Sequence, residues 1–121
     1  MAVLTVDVAS EDICYPLKIE KGLLNHLAEE IKKVYKNKKI AIVTDENVHA
    51  LYGERLTTQL AQAGFEVTLI VLEPGEQTKS MGNLQTIFSK LVAFGLSRSD
   101  LIIALGGGVI GDLAGFAAAS Y

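Results

Sequence analysis

The first third of the chain shows two kinds of apolar spacing. Apolar and polar positions alternate in VLTVDV (residues 3–8), and a second apolar run, ICYPLKI (13–19), follows the turn-like residues ASED. Such period-two alternation in neighbouring runs predicts an antiparallel hairpin. The spacing then changes to three or four residues, which predicts a helix that begins after Gly22 and ends in the basic run KNKK. Its apolar stripe is Leu23, Leu24, Leu27, Ala28, Ile31 and Val34.

The rest of the chain repeats a strand followed by a helix three times. Strands are predicted at KIAIVT, FEVTLIVL and DLIIAL, and the continuous apolar run of KIAIVT is typical of a strand buried on both faces. Helices are predicted from about Asn47 to Ala63, from Met81 to a stop at Gly95, and from about Val109 onward. The buried stripes of the first two are Val48, Leu51, Tyr52, Leu56 and Leu60, and then Met81, Leu84, Ile87, Phe88, Leu91 and Val92.

This alternation predicts an α/β fold, a parallel sheet with helices on both faces preceded by the N-terminal antiparallel hairpin. A length of 121 residues favours a single domain, residues 1–121. Ligands of such sheets bind beyond the carboxyl ends of the strands. Three loops are therefore expected at one edge, TDEN (44–47), EPGEQTK (73–79) and GGGVIGD (106–112).

Composition narrows the classes of partner. The net charge is −3, which gives no support for binding to nucleic acid or to an anionic membrane. The apolar runs are shorter than the roughly 20 residues of a membrane span. A single cysteine, Cys14, excludes an internal disulfide and favours a reducing, cytoplasmic location.

The last predicted strand is followed by a glycine-rich turn. Gly106, Gly108 and Gly111 fit the pattern G-x-G-x-x-G between a strand and a helix. Glycine lets a ligand approach the main chain, and the N–H groups of the helix start attract phosphate. A packing corner without a ligand is the alternative. Because this turn follows the last strand, an acidic partner for a ribose must come from upstream.

The other two loops carry the candidates for that partner. Asp45 can bind a ligand or only cap a helix, and Asn47 can share either role. Glu76 and Lys79 can bind a ribose hydroxyl and a charged group, or form an exposed polar turn. Asp112 suits the helix dipole and lies close to the glycines.

Taken together, TDENV, PGEQTKS and LGGGVIGDLAGFAAASY resemble the 3-dehydroquinate synthase family, and the resemblance extends along the whole chain. It implies a Rossmann-like N-terminal domain that binds NAD. Asp45 and Asn47 would contact the adenosine side, and the other implied cofactor-binding residues are Gly75, Glu76, Gln77, Thr78, Lys79, Gly107, Gly108, Val109, Ile110, Gly111 and Asp112. Pro74 departs from the family, in which many members have Asp at this position.

The resemblance also implies an activity. The family's lyase converts the sugar phosphate 3-deoxy-D-arabino-heptulosonate 7-phosphate to 3-dehydroquinate and phosphate, in the shikimate pathway of aromatic amino acid biosynthesis. It uses NAD and a divalent metal, zinc or cobalt, whose ligands lie in a helical C-terminal domain beyond Tyr121. No catalytic or metal-binding residue is therefore predicted in this chain, which is expected to be inactive alone. A homodimer is one assembly that the resemblance suggests.

Two other interpretations remain open. The chain can be a domain of another sugar-phosphate cyclase or of a metal-dependent alcohol or glycerol dehydrogenase, although GDLAGFAAASY speaks against these. It can also be a non-catalytic domain that binds a nucleotide or another protein. The last helix, VIGDLAGFAAASY, is apolar nearly all round, which predicts an apolar surface that the rest of this chain does not cover.

Overall fold

The computed structural model describes residues 3–9 and 14–121, with side chains from Tyr15 onward. The turn predicted within ASED and the side chain of Cys14 lie outside the described part. The elements are β1 (Val3–Ala9), β2 (Cys14–Glu20), a 3-10 turn (Leu23–His26), α1 (Leu27–Val34), β3 (Lys39–Asp45), α2 (Glu46–Val48), a π-helical turn (His49–Gly53), α3 (Glu54–Gln62), β4 (Glu66–Leu72), a second 3-10 turn (Glu76–Thr78), α4 (Met81–Phe94), β5 (Leu101–Leu105) and α5 (Gly108–Ser120).

Strands β3, β4 and β5 form a parallel sheet in the order β4-β3-β5. Strand β3 is central because its residues are apolar on both sides, and Ile40 to Thr44 are all buried. Its last residues pair with the last residues of both neighbours, Asp45 with Leu72 and Thr44 with Leu105. The carboxyl ends of the three strands are therefore level, as a shared ligand edge requires.

The helices cover both faces of this sheet, as the sequence predicts. Alternate residues of β3 point to opposite faces. Val43 packs with α4 and α5, whose buried residues include Leu91 and Leu113. Ile42 packs with α1 and α3 on the other face, where Leu60 is fully buried. The predicted α/β fold with a parallel sheet is confirmed.

The predicted hairpin is confirmed as a separate antiparallel pair, in which Val3 lies opposite Glu20 and Ala9 opposite Cys14. Tyr15, Leu17 and Ile19 share one face of β2 and are all exposed. On the other face, the Lys18 ammonium bonds the Glu30 carboxylate of α1 at 2.5 Å. This ion pair links β2 to α1.

The predicted helix between β3 and β4 contains a π-helical turn that the sequence pattern did not reveal. Leu51 and Tyr52, predicted as buried, are 65% and 41% exposed. The wider turn adds a residue to the helical cycle, so that Gly53 faces inward in their place. An added Cβ on Gly53 would lie 2.0 Å from the His49 Nδ1, which explains why a residue without a side chain stands there.

Three other residues predicted in apolar stripes are exposed. Val34 and Met81 are the last residue of α1 and the first of α4, beyond the area that the sheet covers. Val92 lies one position beyond the buried line of Leu84, Ile87 and Leu91. The stripes predict the buried centre of each helix and overestimate its ends.

Candidate functional site

All three loops lie at the carboxyl edge of the sheet. Asp45 ends β3, Glu73 directly follows β4, and Gly106 directly follows β5. Each strand ends level with its neighbour, so the loops surround one area of surface. The predicted convergence of these loops is what the structure shows.

Asp45 acts as the cap of α2. Its Oδ1 accepts the N–H of Val48 at 2.9 Å, and its backbone is extended. The capping role considered from the sequence is therefore present, and it holds the carboxylate at the end of the central strand. Asn47 lies in the same short helix and is exposed.

The glycine turn is open in front of α5. Gly107 precedes the helix, and no side chain caps its first N–H groups. An added Cβ on Gly107, Gly108 or Gly111 would meet no atom within 4 Å, whereas on Gly106 it would lie 3.1 Å from the Ile110 Cβ. The packing-corner explanation therefore accounts for Gly106 alone. The other glycines leave free space beside uncapped N–H groups, which is the geometry that receives an anion.

The remaining residues of the turn differ in what they expose. Val109 is half-buried, and Asp112 is exposed in the next turn of α5. Ile110 is 2% exposed and packs in the core, so that its side chain faces away from the edge. A role for Ile110 in binding would rest on its backbone.

The loop after β4 is folded tightly around a buried threonine. Thr78 is 2% exposed, and its hydroxyl donates to the Glu73 carbonyl while its N–H donates to the Gly75 carbonyl at 3.1 Å. Gly75 has φ 110° and ψ 165°, a conformation that only glycine adopts without strain. Glu76 and Gln77 consequently point to solvent, and the Gln77 amide donates to the Pro74 carbonyl at 3.2 Å.

Lys79 connects two of the loops. Its Nζ lies 2.8 Å from the Asp112 Oδ2 and 3.6 Å from the Glu76 Oε1. The hydrogen bond to Asp112, together with the nearby negative charges, raises the pKa of Lys79 above its ordinary value. Three residues chosen separately from the sequence therefore form one charged cluster beside the glycine turn.

Two features of this edge are not predicted from the sequence. Thr44 is fully buried, and its hydroxyl donates to the Leu105 carbonyl at 2.6 Å. Its signal in the sequence was a polar residue at the end of an otherwise apolar strand. The second feature is a groove of about 390 Å³ between α4 and α5, where Met81 and Phe116 are exposed beside Lys79 and Asp112.

Phe116 is 58% exposed, and Gly115, Ala118 and Ala119 of α5 are exposed as well, whereas Ala117 is buried. The predicted apolar surface on α5, not covered by the rest of the chain, is therefore present.

Within the described ranges, no group of three or more His, Cys, Asp or Glu side chains is arranged to hold a metal ion. The same residues contain no helix that is both long and apolar enough to cross a membrane.

Comparisons with known sequences identify relatives along the whole chain. Residues 69–121 match the family described as 3-dehydroquinate synthase N-terminal. The 3-dehydroquinate synthase of Clostridium botulinum is 52% identical over 121 residues, and that of Clostridium beijerinckii is 53% identical over 107 residues. These alignments include 100% and 88% of this chain, but only 34% and 31% of the relatives. The chain thus spans about a third of the length of the curated relatives it matches.

Solved structures share the fold. A 2-deoxy-scyllo-inosose synthase complexed with carbaglucose-6-phosphate, NAD+ and Co2+ aligns with TM-score 0.83 and 20% identity, over 98% of this chain and 32% of that one. The 2-epi-5-epi-valiolone synthase of Streptomyces hygroscopicus, with NAD+ and Zn2+ bound, aligns with TM-score 0.75 and 31% identity, over 93% of this chain and 31% of that one. The first likeness establishes the architecture alone.

Proposed function

We propose that this chain, whose sequence is of the 3-dehydroquinate synthase type along its whole length, forms the NAD-binding part of an enzyme with that activity. One observation carries the proposal. The open glycine turn before α5 lies at the same sheet edge as Asp45 and the Lys79 cluster, so that an anion site and acidic groups for a ribose face one area. The NAD+ bound in the 2-epi-5-epi-valiolone synthase structure, which is 31% identical to this chain, supports it.

The proposed roles follow from the charges and donors of each loop. The uncapped N–H groups from Gly107 to Ile110 would bind the pyrophosphate, and the open space at Gly108 would let it approach the backbone. Asp45 and Asn47 would face the adenosine side. A carboxylate there is an acceptor for ribose hydroxyls.

The loop after β4 would lie beside a ribose and the phosphates of the cofactor. Glu76 offers carboxylate oxygens to hydroxyl groups, and the backbone from Gly75 to Thr78 is held in one shape by the buried Thr78. Lys79 would carry a positive charge toward the phosphates, with Asp112 next to it for the nicotinamide half.

The proposed reaction of the whole enzyme is the conversion of 3-deoxy-D-arabino-heptulosonate 7-phosphate to 3-dehydroquinate and phosphate. NAD supplies a hydride acceptor when it is bound, and the residues of this chain would bind and orient it. The zinc or cobalt ion of such an enzyme is assigned to no described residue, because these form no suitable ligand group. Because the chain spans about a third of the length of the relatives it matches, we expect no turnover from the 121 residues alone. A homodimer and a cytoplasmic location also stay predictions.

Chemical-shift mapping of the 121-residue chain with NAD+ tests the proposal, because it detects weak binding as well as strong. We expect saturable shifts at the backbone amides of residues 45–47, 75–79 and 107–112. The amides of Ser97 to Asp100, at the opposite edge of the sheet, serve as the control. Shifts at both edges alike, or none at millimolar NAD+, would contradict the proposed function.

The assignment of activity needs a separate experiment. A dehydroquinate assay on the 121-residue chain should give no product above background. Steady turnover without any added protein would contradict the expectation that essential groups lie elsewhere. Identification of the product formed by an active enzyme that contains this sequence would separate a 3-dehydroquinate synthase from the other sugar-phosphate cyclases and from a dehydrogenase.

A further inference from the structure

Two threonines are the buried polar residues among the side chains that the structure describes. Thr44 is 0% exposed and Thr78 is 2% exposed. Both lie at the carboxyl edge of the sheet, and each hydroxyl donates to a backbone carbonyl where a strand ends, Leu105 for Thr44 and Glu73 for Thr78. Buried polar groups therefore occur where the candidate site is built.

Thr44 occupies a position where the strand pattern calls for an aliphatic residue. Ile40 and Ile42 precede it at alternate positions of β3 and pack in the core against α1 and α3. Valine has nearly the same shape and would bury more apolar surface, without a hydroxyl that needs a partner. The hydroxyl is satisfied at 2.6 Å by the Leu105 carbonyl.

The chain leaves the sheet after Leu105 and enters the glycine turn. Leu105 is the last residue of β5 and pairs with Thr44 at the end of the β3–β5 ladder. Strand β3 enters α2 directly after Asp45, so the ladder does not continue beyond this pair. In the described sheet β5 pairs with β3 alone, which makes the Thr44 hydroxyl a fixing point at the end of an edge strand.

The turn that follows has few fixing points of its own. Gly107 and Gly108 carry no side chain, and no side chain caps the helix that they begin. Glycine has the largest conformational freedom of any residue. The direction in which the N–H groups of the turn point therefore depends on two attachments, the Leu105 peptide on the strand side and the packing of Ile110 in the core on the helix side.

We propose that Thr44 is a positioning residue for the cofactor site. Its hydroxyl fixes the Leu105 carbonyl, and through it the orientation of the turn from Gly106 to Gly108. Thr44 is buried and touches no cofactor. The part of this inference that concerns affinity rests on the proposed binding of NAD, whereas the part that concerns the turn does not.

Two substitutions separate the hydroxyl from the shape of the side chain. Thr44→Val keeps the volume and removes the hydroxyl, whereas Thr44→Ser keeps the hydroxyl and removes a methyl group. We expect T44V to weaken NAD binding roughly tenfold. T44S should bind NAD within about twofold of the unsubstituted chain, even though the lost methyl lowers its melting temperature. A purely structural role would make affinity follow stability in both variants.

Thr57→Val is the matched control. The Thr57 hydroxyl donates to the Gly53 carbonyl at 2.8 Å in α3, away from the sheet edge, and Thr57 is half-buried. T57V removes the same kind of bond and should leave the affinity for NAD unchanged. If T44V does not fold, Thr44→Ala replaces it, because T44A and T44S both lack the methyl group and differ in the hydroxyl.

Amide hydrogen exchange at Gly111, whose N–H donates to the Gly107 carbonyl at 3.0 Å, tests the positioning without NAD. We expect exchange there to be about tenfold faster in T44V than in T44S, while amides of β4 change equally in both. Faster exchange in a chain that does not bind NAD would support the positioning of the turn and contradict the proposed function. Equal exchange in the two variants, or equal loss of affinity, would overturn the role of Thr44.

Discussion

The ammonium of Lys79 lies 2.8 Å from the Asp112 carboxylate and joins the loop after β4 to the first turns of α5. These residues are 33 positions apart in the sequence, and the parallel sheet brings their loops together. Both side chains are largely exposed, so solvent screens the pair and it adds little to stability. We therefore expect the pair to matter for the binding of a ligand more than for the stability of the fold.

Removing the Lys79 charge should weaken cofactor binding but change the free energy of unfolding little. Lys79→Met keeps the apolar stem and loses the positive charge beside the phosphate site. We therefore expect the dissociation constant for NAD+ to rise roughly tenfold. Isothermal titration measures it. Lys90→Met, on an exposed position of α4, is the control and should bind like the unsubstituted chain. Equal NAD+ affinity of the two variants would show that Lys79 is not part of the binding site.

Two helical glycines with open surroundings should respond differently to alanine. Gly111 has no atom within 4 Å of an added Cβ, and for Gly82 of α4 the nearest is the Ser80 Oγ at 3.9 Å. Alanine at either position should stabilise the chain by about 0.5–1 kcal/mol, because helical glycine costs backbone entropy. Urea denaturation checks this effect.

Only Gly111→Ala should also weaken NAD binding, since its methyl group would enter the space left for the cofactor. Gly82→Ala supplies the matched control for the gain in helix stability. If Gly111→Ala stabilises the chain and leaves NAD affinity unchanged, the free space at this glycine serves no ligand.

The π-helical turn should make Gly53 intolerant of alanine. Gly53 has ordinary helical angles, but an added Cβ would lie 2.0 Å from the His49 Nδ1. We expect Gly53→Ala to destabilise the chain by about 1–3 kcal/mol, because the imidazole must move. In a His49→Ala background the same substitution should become neutral or stabilising. Thermal denaturation of the four chains of this cycle measures the change, and an unchanged cost in that background would contradict the steric cause.

Tyr35 should give the chain a specific sensitivity to alkaline pH. Its hydroxyl lies 2.5 Å from the Lys39 carbonyl and 3.0 Å from the Asp100 Oδ1. Burial, with the neighbouring Asp100 carboxylate, raises the pKa of Tyr35 to about 12. The unfolded chain ionises this phenol near pH 10, so between pH 10 and 12 the unfolded state binds fewer protons and stability falls.

Tyr35→Phe removes the ionisable phenol and leaves all other titrating groups in place. Near neutral pH the variant should be less stable by about 1 kcal/mol, because it lacks the phenol hydrogen bonds. Toward pH 12 the unsubstituted chain should lose about 2–3 kcal/mol relative to the variant, and the order of stability should reverse. Urea denaturation from pH 7 to 12 measures the difference, and a gap that stays constant with pH would show that the pKa is not raised.

The sequence determined the elements and the edge at which they present the candidate site. Continuous apolar runs separated by helical stripes are sufficient for a parallel sheet with two covered faces. The ends of those strands then place the loops of Asp45, Lys79 and Gly108 together. The motifs within those loops suffice for the resemblance, which the relatives confirm along the chain.

Other features depended on how the elements pack. The exposure of Leu51 follows from a π-helical turn around Gly53, and helical periodicity contains no signal for an added residue. The pairing of Lys79 with Asp112 and the bond from Thr44 to Leu105 join positions 33 and 61 residues apart. The local sequence favours a helix or a strand at each position. Contacts such as these two arise only when the order and register of the strands bring distant residues together, so the tertiary structure alone decided them.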